Sequence, residues 1–203
     1  MEKKHTQGET WQEALKRLDN FTKNESSLIH LDSDVDHEEI SEFEKRLTIS
    51  LPEDLKQFYT QYKSLYVYID EKIFFAIFPL SELSTNSYIT KTPESFIGLA
   101  AMISMFGEGE EDGYLKTDLS PEMYDYLNEN YKLFGFYGLS DCDSKYWYFD
   151  KNGNYGVQEF IHDDYDMWIP KLRKMDKDVI PSLNELISKA VDQTLIDFDE
   201  YLE

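Results

Sequence analysis

Apolar residues fall into two kinds of rhythm along the chain. From residue 9 to 22, Trp11, Leu15, Leu18 and Phe21 recur at helical spacing, which predicts an amphipathic helix. Thr10 stands three residues before Glu13, the spacing at which a capping box forms. Ile40, Phe43 and Leu47 repeat the pattern. After a break at Ile49-Ser50, Leu55, Phe58, Tyr59 and Tyr62 do so again. Ser50 and Glu53 have capping-box spacing, and Pro52 stands in the first turn, where a missing N–H costs nothing. Two short helices therefore meet at a tight corner around residues 47–53.

The rhythm then changes to strands. Tyr66–Ile69 and Ile73–Phe78 read as a pair joined through Asp70-Glu71-Lys72; the second is apolar on both faces, as a central strand is. Leu133–Tyr137, Lys145–Asp150 and Tyr155–Phe160 read as three more. Asn152-Gly153 marks a tight antiparallel hairpin between the last two. Tyr146, Tyr148 and Asp150 alternate with Trp147 and Phe149. Residues 93–106 read as a mostly buried helix, Ser120-Pro121 opens a short one with Met123, Tyr126 and Leu127 on its apolar side, and Met167-Trp168-Ile169 reads as an edge segment. From Ser182 to Leu195 the helical stripe returns in Leu183, Leu186, Ile187, Ala190, Val191 and Leu195, with Ser182 and Glu185 at capping spacing. Helices, then a strand meander, then a closing helix imply an α+β fold with a mainly antiparallel sheet of about five or six strands. The expected organisation is a helical extension over residues 1–30 docked on the domain, an α+β domain over 31–195 and an acidic tail over 196–203. A free-standing partner-binding helix is the alternative for the extension.

Composition narrows the class. A chain of 203 residues suits one domain with a sizeable core. Aromatics make up 15% of it, so the mean hydropathy of −0.58 reflects a charged exterior over a real core. No apolar run is long enough to span a membrane. The N-terminal residues lack the apolar core of a signal peptide, and Cys142 is the sole cysteine; a cytoplasmic protein is expected. Net charge is −21 with a pI near 4.4. Such a field repels nucleic acid and anionic lipid and steers basic proteins inward. Solubility alone is the competing account of it.

Catalytic signatures are missing. Asp150-x-Asn152-x-Asn154 starts like a calcium loop, but Tyr155 and Ile161 stand where Gly and Glu belong. His162-Asp163-Asp164-x-Asp166 lacks a supporting histidine cluster. Cys142 lies between Asp141 and Asp143, whose charges disfavour a thiolate. No GxSxG elbow is present, and the acids after Gly107 spoil a phosphate cradle. No cofactor and no catalytic residue are therefore expected. The densest acids are Glu108, Glu110, Glu111 and Asp112; Asp141 and Asp143; and Asp163, Asp164 and Asp166 around Tyr165 and Trp168. Gathered at one end of the sheet, they would form a negative rim about aromatic anchors. Scattered, they would be ordinary solvated acids.

Glu39-Ile40, Phe43-Glu44 and Leu47 are followed by Leu51-Pro52-x-Asp54-Leu55-Lys56-x-Phe58-Tyr59, then by Phe78-Pro79-Leu80-Ser81-Glu82-Leu83 and the hairpin Tyr146–Asp150 with Asn152-Gly153. Together these motifs resemble the SUKH superfamily, the Smi/Knr-like proteins that include many bacterial immunity proteins. The likeness covers about residues 36–190 with an insertion between Leu83 and Phe134. It departs at Lys63-Ser64, where the family usually has Asn-Gly. The resemblance implies an immunity protein that binds a cognate toxin domain and blocks it stoichiometrically; the acidic charge makes a basic toxin, a nuclease by preference, the expected partner, and a monomer is favoured with the oligomeric state left open. A regulatory or scaffold adaptor of the Smi/Knr type is the alternative. A sugar or small-ligand module resting on Tyr146 and Tyr148 is a third reading, against which both rings would simply be core.

Overall fold

A computed structural model describes residues 8–21, 27–35, 37–46, 50–69, 72–80, 126, 129–138, 143–161 and 179–201. Its elements run α1 (Trp11–Phe21), β1 (Ser27–Asp32), α2 (His37–Arg46), α3 (Glu53–Tyr59), β2 (Ser64–Ile69), β3 (Lys72–Ile77), β4 (Tyr131–Gly138), β5 (Asp143–Asp150), β6 (Tyr155–Ile161) and α4 (Leu183–Tyr201). The six strands form one sheet in sequence order, each antiparallel to its neighbour. The fold is α+β, as the alternation of rhythms implies.

The sheet buries one face under helices. Phe75, Phe134, Tyr137, Trp147, Phe149 and Tyr155 belong to that face, each at most 5% exposed. Phe134 touches the rings of Trp147, Phe149 and Tyr155 at centroid distances of 6.2, 6.0 and 5.5 Å. It reaches all three because β4 bulges between Leu133 and Gly135, which adds a residue to that edge of the pairing and re-aims a side chain. Gly135 follows from the same crowding. A Cβ there would stand 2.4 Å from the Ala76 carbonyl oxygen and 2.9 Å from the Trp147 ring. The apolar stripe of α4 packs against this face, with Leu183, Leu186, Ile187, Ala190, Val191 and Leu195 all buried.

The N-terminal helix is fixed to the same layer. Trp11 meets Phe58 of α3 and Tyr62 edge-on, both at 5.6 Å, and its backbone N–H donates to Asn184 Oδ1 of α4 at 2.9 Å. Ala14, Leu15 and Leu18 are buried, whereas Phe21 is left exposed at the last turn. The capping box at its start forms: Glu13 Oε2 accepts from the Thr10 N–H and hydroxyl, and the Glu13 N–H donates to Thr10 Oγ1. The Thr10 bonds also hold the exposed Glu13 carboxyl below its ordinary value.

Three local expectations are corrected. Ser50 and Glu53 make no capping box. Pro52 is the N-cap of α3, with no side-chain hydrogen bond, and Glu53 Oε1 instead accepts from Gln57 Nε2 one turn on. Residues 27–32, of which 27–30 were expected in a helical extension, form a strand, because pairing with Ser64–Ile69 satisfies their backbone. Finally, α4 runs past Leu195 to Tyr201. It takes in Asp197, expected in an acidic tail, whose carboxylate accepts from the Tyr137 hydroxyl and from Gln193 Nε2. The predicted helix over 93–106, the short helix after Ser120 (Tyr126 aside) and the edge segment 167–169 lie outside the described residues.

Candidate binding site

The corner read from Leu51-Pro52-x-Asp54 is a junction between three distant segments. Asp54 Oδ1 accepts from its neighbour's N–H at Leu55 and from the Tyr155 hydroxyl of β6. Its Oδ2 accepts from the Leu183 N–H at 2.7 Å, the first residue of α4. Ser182 Oγ completes the cap by accepting from the Glu185 N–H at 3.2 Å. A helix start carries unsatisfied N–H groups and a partial positive charge, so a carboxylate belongs there. Burial and then Asp54 push the Tyr155 hydroxyl well above its ordinary value. Burial does the same to Tyr59, whose hydroxyl donates to the Phe78 carbonyl at 2.8 Å. These groups hold protons fast, which suits a scaffold and not proton transfer.

Asp150 is likewise consumed by structure. Its Oδ1 accepts from the N–H groups of Asn152 and Asn154 at 2.8 and 2.9 Å, and Oδ2 accepts from Asn154 Nδ2 at 3.1 Å. Gly153, at φ +80°, closes the turn. The three residues that begin like a calcium loop are therefore the hydrogen-bonding set of a hairpin. Among the described residues no group of three or more His, Cys, Asp or Glu could hold a metal ion. Tyr148 is 3% exposed and meets Tyr131 edge-on at 5.4 Å, so it is core. Tyr146 is half-buried beside Phe136. A ligand platform of these two rings would thus lose one of them.

The acidic positions are distributed unevenly with respect to the described residues. Asp143 opens β5, its Cα paired with Ile161 at the end of β6. Glu108, Glu110, Glu111, Asp112, Asp141, Asp163, Asp164, Tyr165, Asp166 and Trp168 lie outside the described residues. The register does align the strand ends that carry some of them. Gly138 pairs with Ser144, and Asp143 with Ile161, so the chain leaves β4, enters β5 and leaves β6 at one end of the sheet. Ile69 pairs with Lys72 at the same end, the connection that contains Asp70 and Glu71.

An open cavity lies between α4 and the sheet, and sequence reasoning missed it. Trp147 floors it. Val157, Ile180, Leu186 and Ala190 supply apolar wall, and Lys145 and Lys189 are the charged residues of its lining. Its volume is about 210 Å³. The only sequence signal was the i, i+2 spacing of Lys145 and Trp147 on β5, which puts a cation beside a core ring.

The family model described as SMI1 / KNR4 family (SUKH-1) matches residues 34–188. No curated protein matches the chain. The match takes in the Asp54 junction and the whole run from β2 to β6. It leaves out α1, β1 and most of α4. Among the described residues, no helix is long and apolar enough to cross a membrane.

Proposed function

The chain belongs to the SMI1 / KNR4 family (SUKH-1), and from that premise we propose that it is an immunity protein that binds a cognate toxin domain and neutralises it by occlusion. The observation that carries the reading is the charge of −21 on a member of a family in which the resemblance implies partner binding. A basic partner is the one such a field selects. A nuclease is the toxin class that fits best, since its substrate face must be positive to hold phosphates.

The acids at Asp141, Asp143, Asp163, Asp164 and Asp166, with Tyr165 and Trp168 among them, are the proposed contact set, joined by Glu108, Glu110, Glu111 and Asp112. What supports this choice is the register described above: neighbouring strand ends feed the connections that carry Asp141 and Asp163. Charge sets the encounter, and desolvated aromatic side chains supply the anchors. The protein turns nothing over, uses no cofactor and acts as a monomer in the cytoplasm.

The test is a titration of the purified protein against a toxin domain encoded by a neighbouring gene, at low and high salt. Tight one-to-one binding that weakens as salt rises is the expected result. Glu110→Lys, Asp143→Lys and Asp164→Lys should each reduce protection of toxin-expressing cells. Protection by all three at the unaltered level would discard the contact set. A growth phenotype from the protein alone, with no toxin present, would favour a regulatory adaptor instead.

A further inference from the structure

The cavity between α4 and the β4–β6 end of the sheet has the features of a small-ligand site. Trp147, 1% exposed, closes it from beneath, and Val157 in its lining is 40% exposed. In a chain with 41 acidic and 20 basic residues, the charged groups of this lining are both lysines. Each is positioned. Lys145 Nζ lies 5.9 Å from the Tyr137 ring centroid, and Lys189 Nζ is 2.8 Å from Glu185 Oε1, one turn earlier on α4. An ammonium group has three donors, so Lys189 can keep Glu185 and still donate to a second carboxylate.

We propose that this cavity binds a small carboxylate with an apolar ring, the ring against Val157 and the aliphatic lining and the carboxylate between Lys145 and Lys189. The volume of about 210 Å³ corresponds to roughly seven waters at ~30 Å³ each, the scale of one substituted ring. Contact with Val157 and the lysine methylenes supplies the apolar part, and charge-assisted bonds to two ammonium groups supply orientation. An extended peptide is the poorer fit. It would have to pair with the outer edge of β6, and at Tyr155 that edge is already bonded in both directions to Ile180, at 2.8 and 2.7 Å.

The test uses the full chain with 3-phenylpropionate and the uncharged 3-phenylpropionamide, each titrated by calorimetry and by amide chemical shifts. The acid should saturate, with shifts at Trp147, Val157 and Lys189, and the amide should bind about tenfold more weakly. Lys145→Gln and Lys189→Gln should each weaken the acid several-fold and leave the amide unchanged. Val157→Trp, which fills the mouth from an exposed edge position and tolerates a ring there, should abolish both while circular dichroism stays native. Equal affinity for acid and amide, indifference to both lysine changes, or the absence of saturation would overturn the proposal. So would binding of a peptide ending in phenylalanine where the free acid does not bind.

Discussion

Two clasps fasten other parts of the chain to α4, and they are built from opposite chemistry. Near its start, inside the family-matched region, Asp54 draws in neutral donors: the Tyr155 hydroxyl and the Leu183 and Leu55 N–H groups. Further along, outside that region at both partners, Arg17 of α1 pairs with Glu9 and Asp192 at 3.0 and 2.7 Å. Ser188 Oγ donates to Glu9 Oε2 at 2.6 Å. Glu9 raises the Arg17 pKa first, by hydrogen bonding, against the opposing effect of burial. The first clasp uses a carboxylate to finish backbone hydrogen bonding at the core. The second uses an ion pair to secure an added helix at its edge. The difference teaches how each should fail. The Asp54 clasp answers to loss of a partner or a proton, the Arg17 clasp to salt.

The largest effect is expected at Asp54. Asp54→Ala strips the cap from α4 and leaves the Leu183 N–H and the Tyr155 hydroxyl without their acceptor. Losing a charge-assisted bond and a cap together should cost about 4 kcal/mol, read as a lowered denaturant midpoint with the slope retained. Asp54→Asn keeps one acceptor and should recover part of it. A loss under ~1 kcal/mol in Asp54→Ala would show that the junction is incidental to the fold.

Tyr155→Phe tests the other half and should cost about 2 kcal/mol, because the half-buried carboxylate keeps its two N–H donors. It also isolates a pH response. Tyr155 is held above its ordinary value by burial and by Asp54, so the folded state keeps a proton that the unfolded state releases. Stability is therefore fully present below about pH 10, the ordinary tyrosine value, and drains as pH rises beyond it. Tyr59 and Tyr137 are raised too, chiefly by burial, so Tyr155→Phe should flatten the alkaline decline without removing it. An unchanged slope would assign the whole response to the other two. Lys132 works with the opposite sign. Burial lowers it to about 8, and between there and its ordinary value near 10.5 the unfolded state binds the extra proton. That makes folding more favourable as pH rises through the window, and Lys132→Met should remove this gain while stabilising the protein at neutral pH.

The two clasps also mark what a single sequence can carry. Every apolar stripe from α1 to α4 was legible, because burial imposes periodicity on the residues themselves: Trp11, Leu15 and Leu18 on one helix, Leu183 to Leu195 on another. The 10/13 capping box was legible for the same local reason. The 50/53 box was read from the same spacing but does not form, since Pro52 already supplies the first-turn geometry and Asp54 directs its carboxylate to a helix start far along the chain. No local pattern encodes that partner. Strand β1 was hidden because Ser27, His30 and Asp32 dilute its alternation, and its identity comes from β2 lying alongside. The cavity was hidden for the same cause, being made where β5, β6 and α4 converge. The acids of the proposed toxin face were legible only as density along the chain.

Arg17→Met should give the smallest effect and the most specific one. Arg17 is partly open to solvent, and Ser188 stays on Glu9 when the guanidinium is gone, so the cost should be about 1 kcal/mol rather than that of an orphaned buried charge. The apolar stem of methionine preserves the packing that the arginine methylenes provide. Because the pair is partly screened, wild type should lose most of this contribution on going from low salt to ~1 M, where the Debye length falls to about 3 Å. The variant should show little of that dependence. Hydrogen exchange locates the change: faster exchange confined to residues 11–21 would mean that α1 is held by its own ion pair, whereas faster exchange reaching α4 and β6 would mean that the added helix has become part of the same cooperative unit as the Asp54 junction.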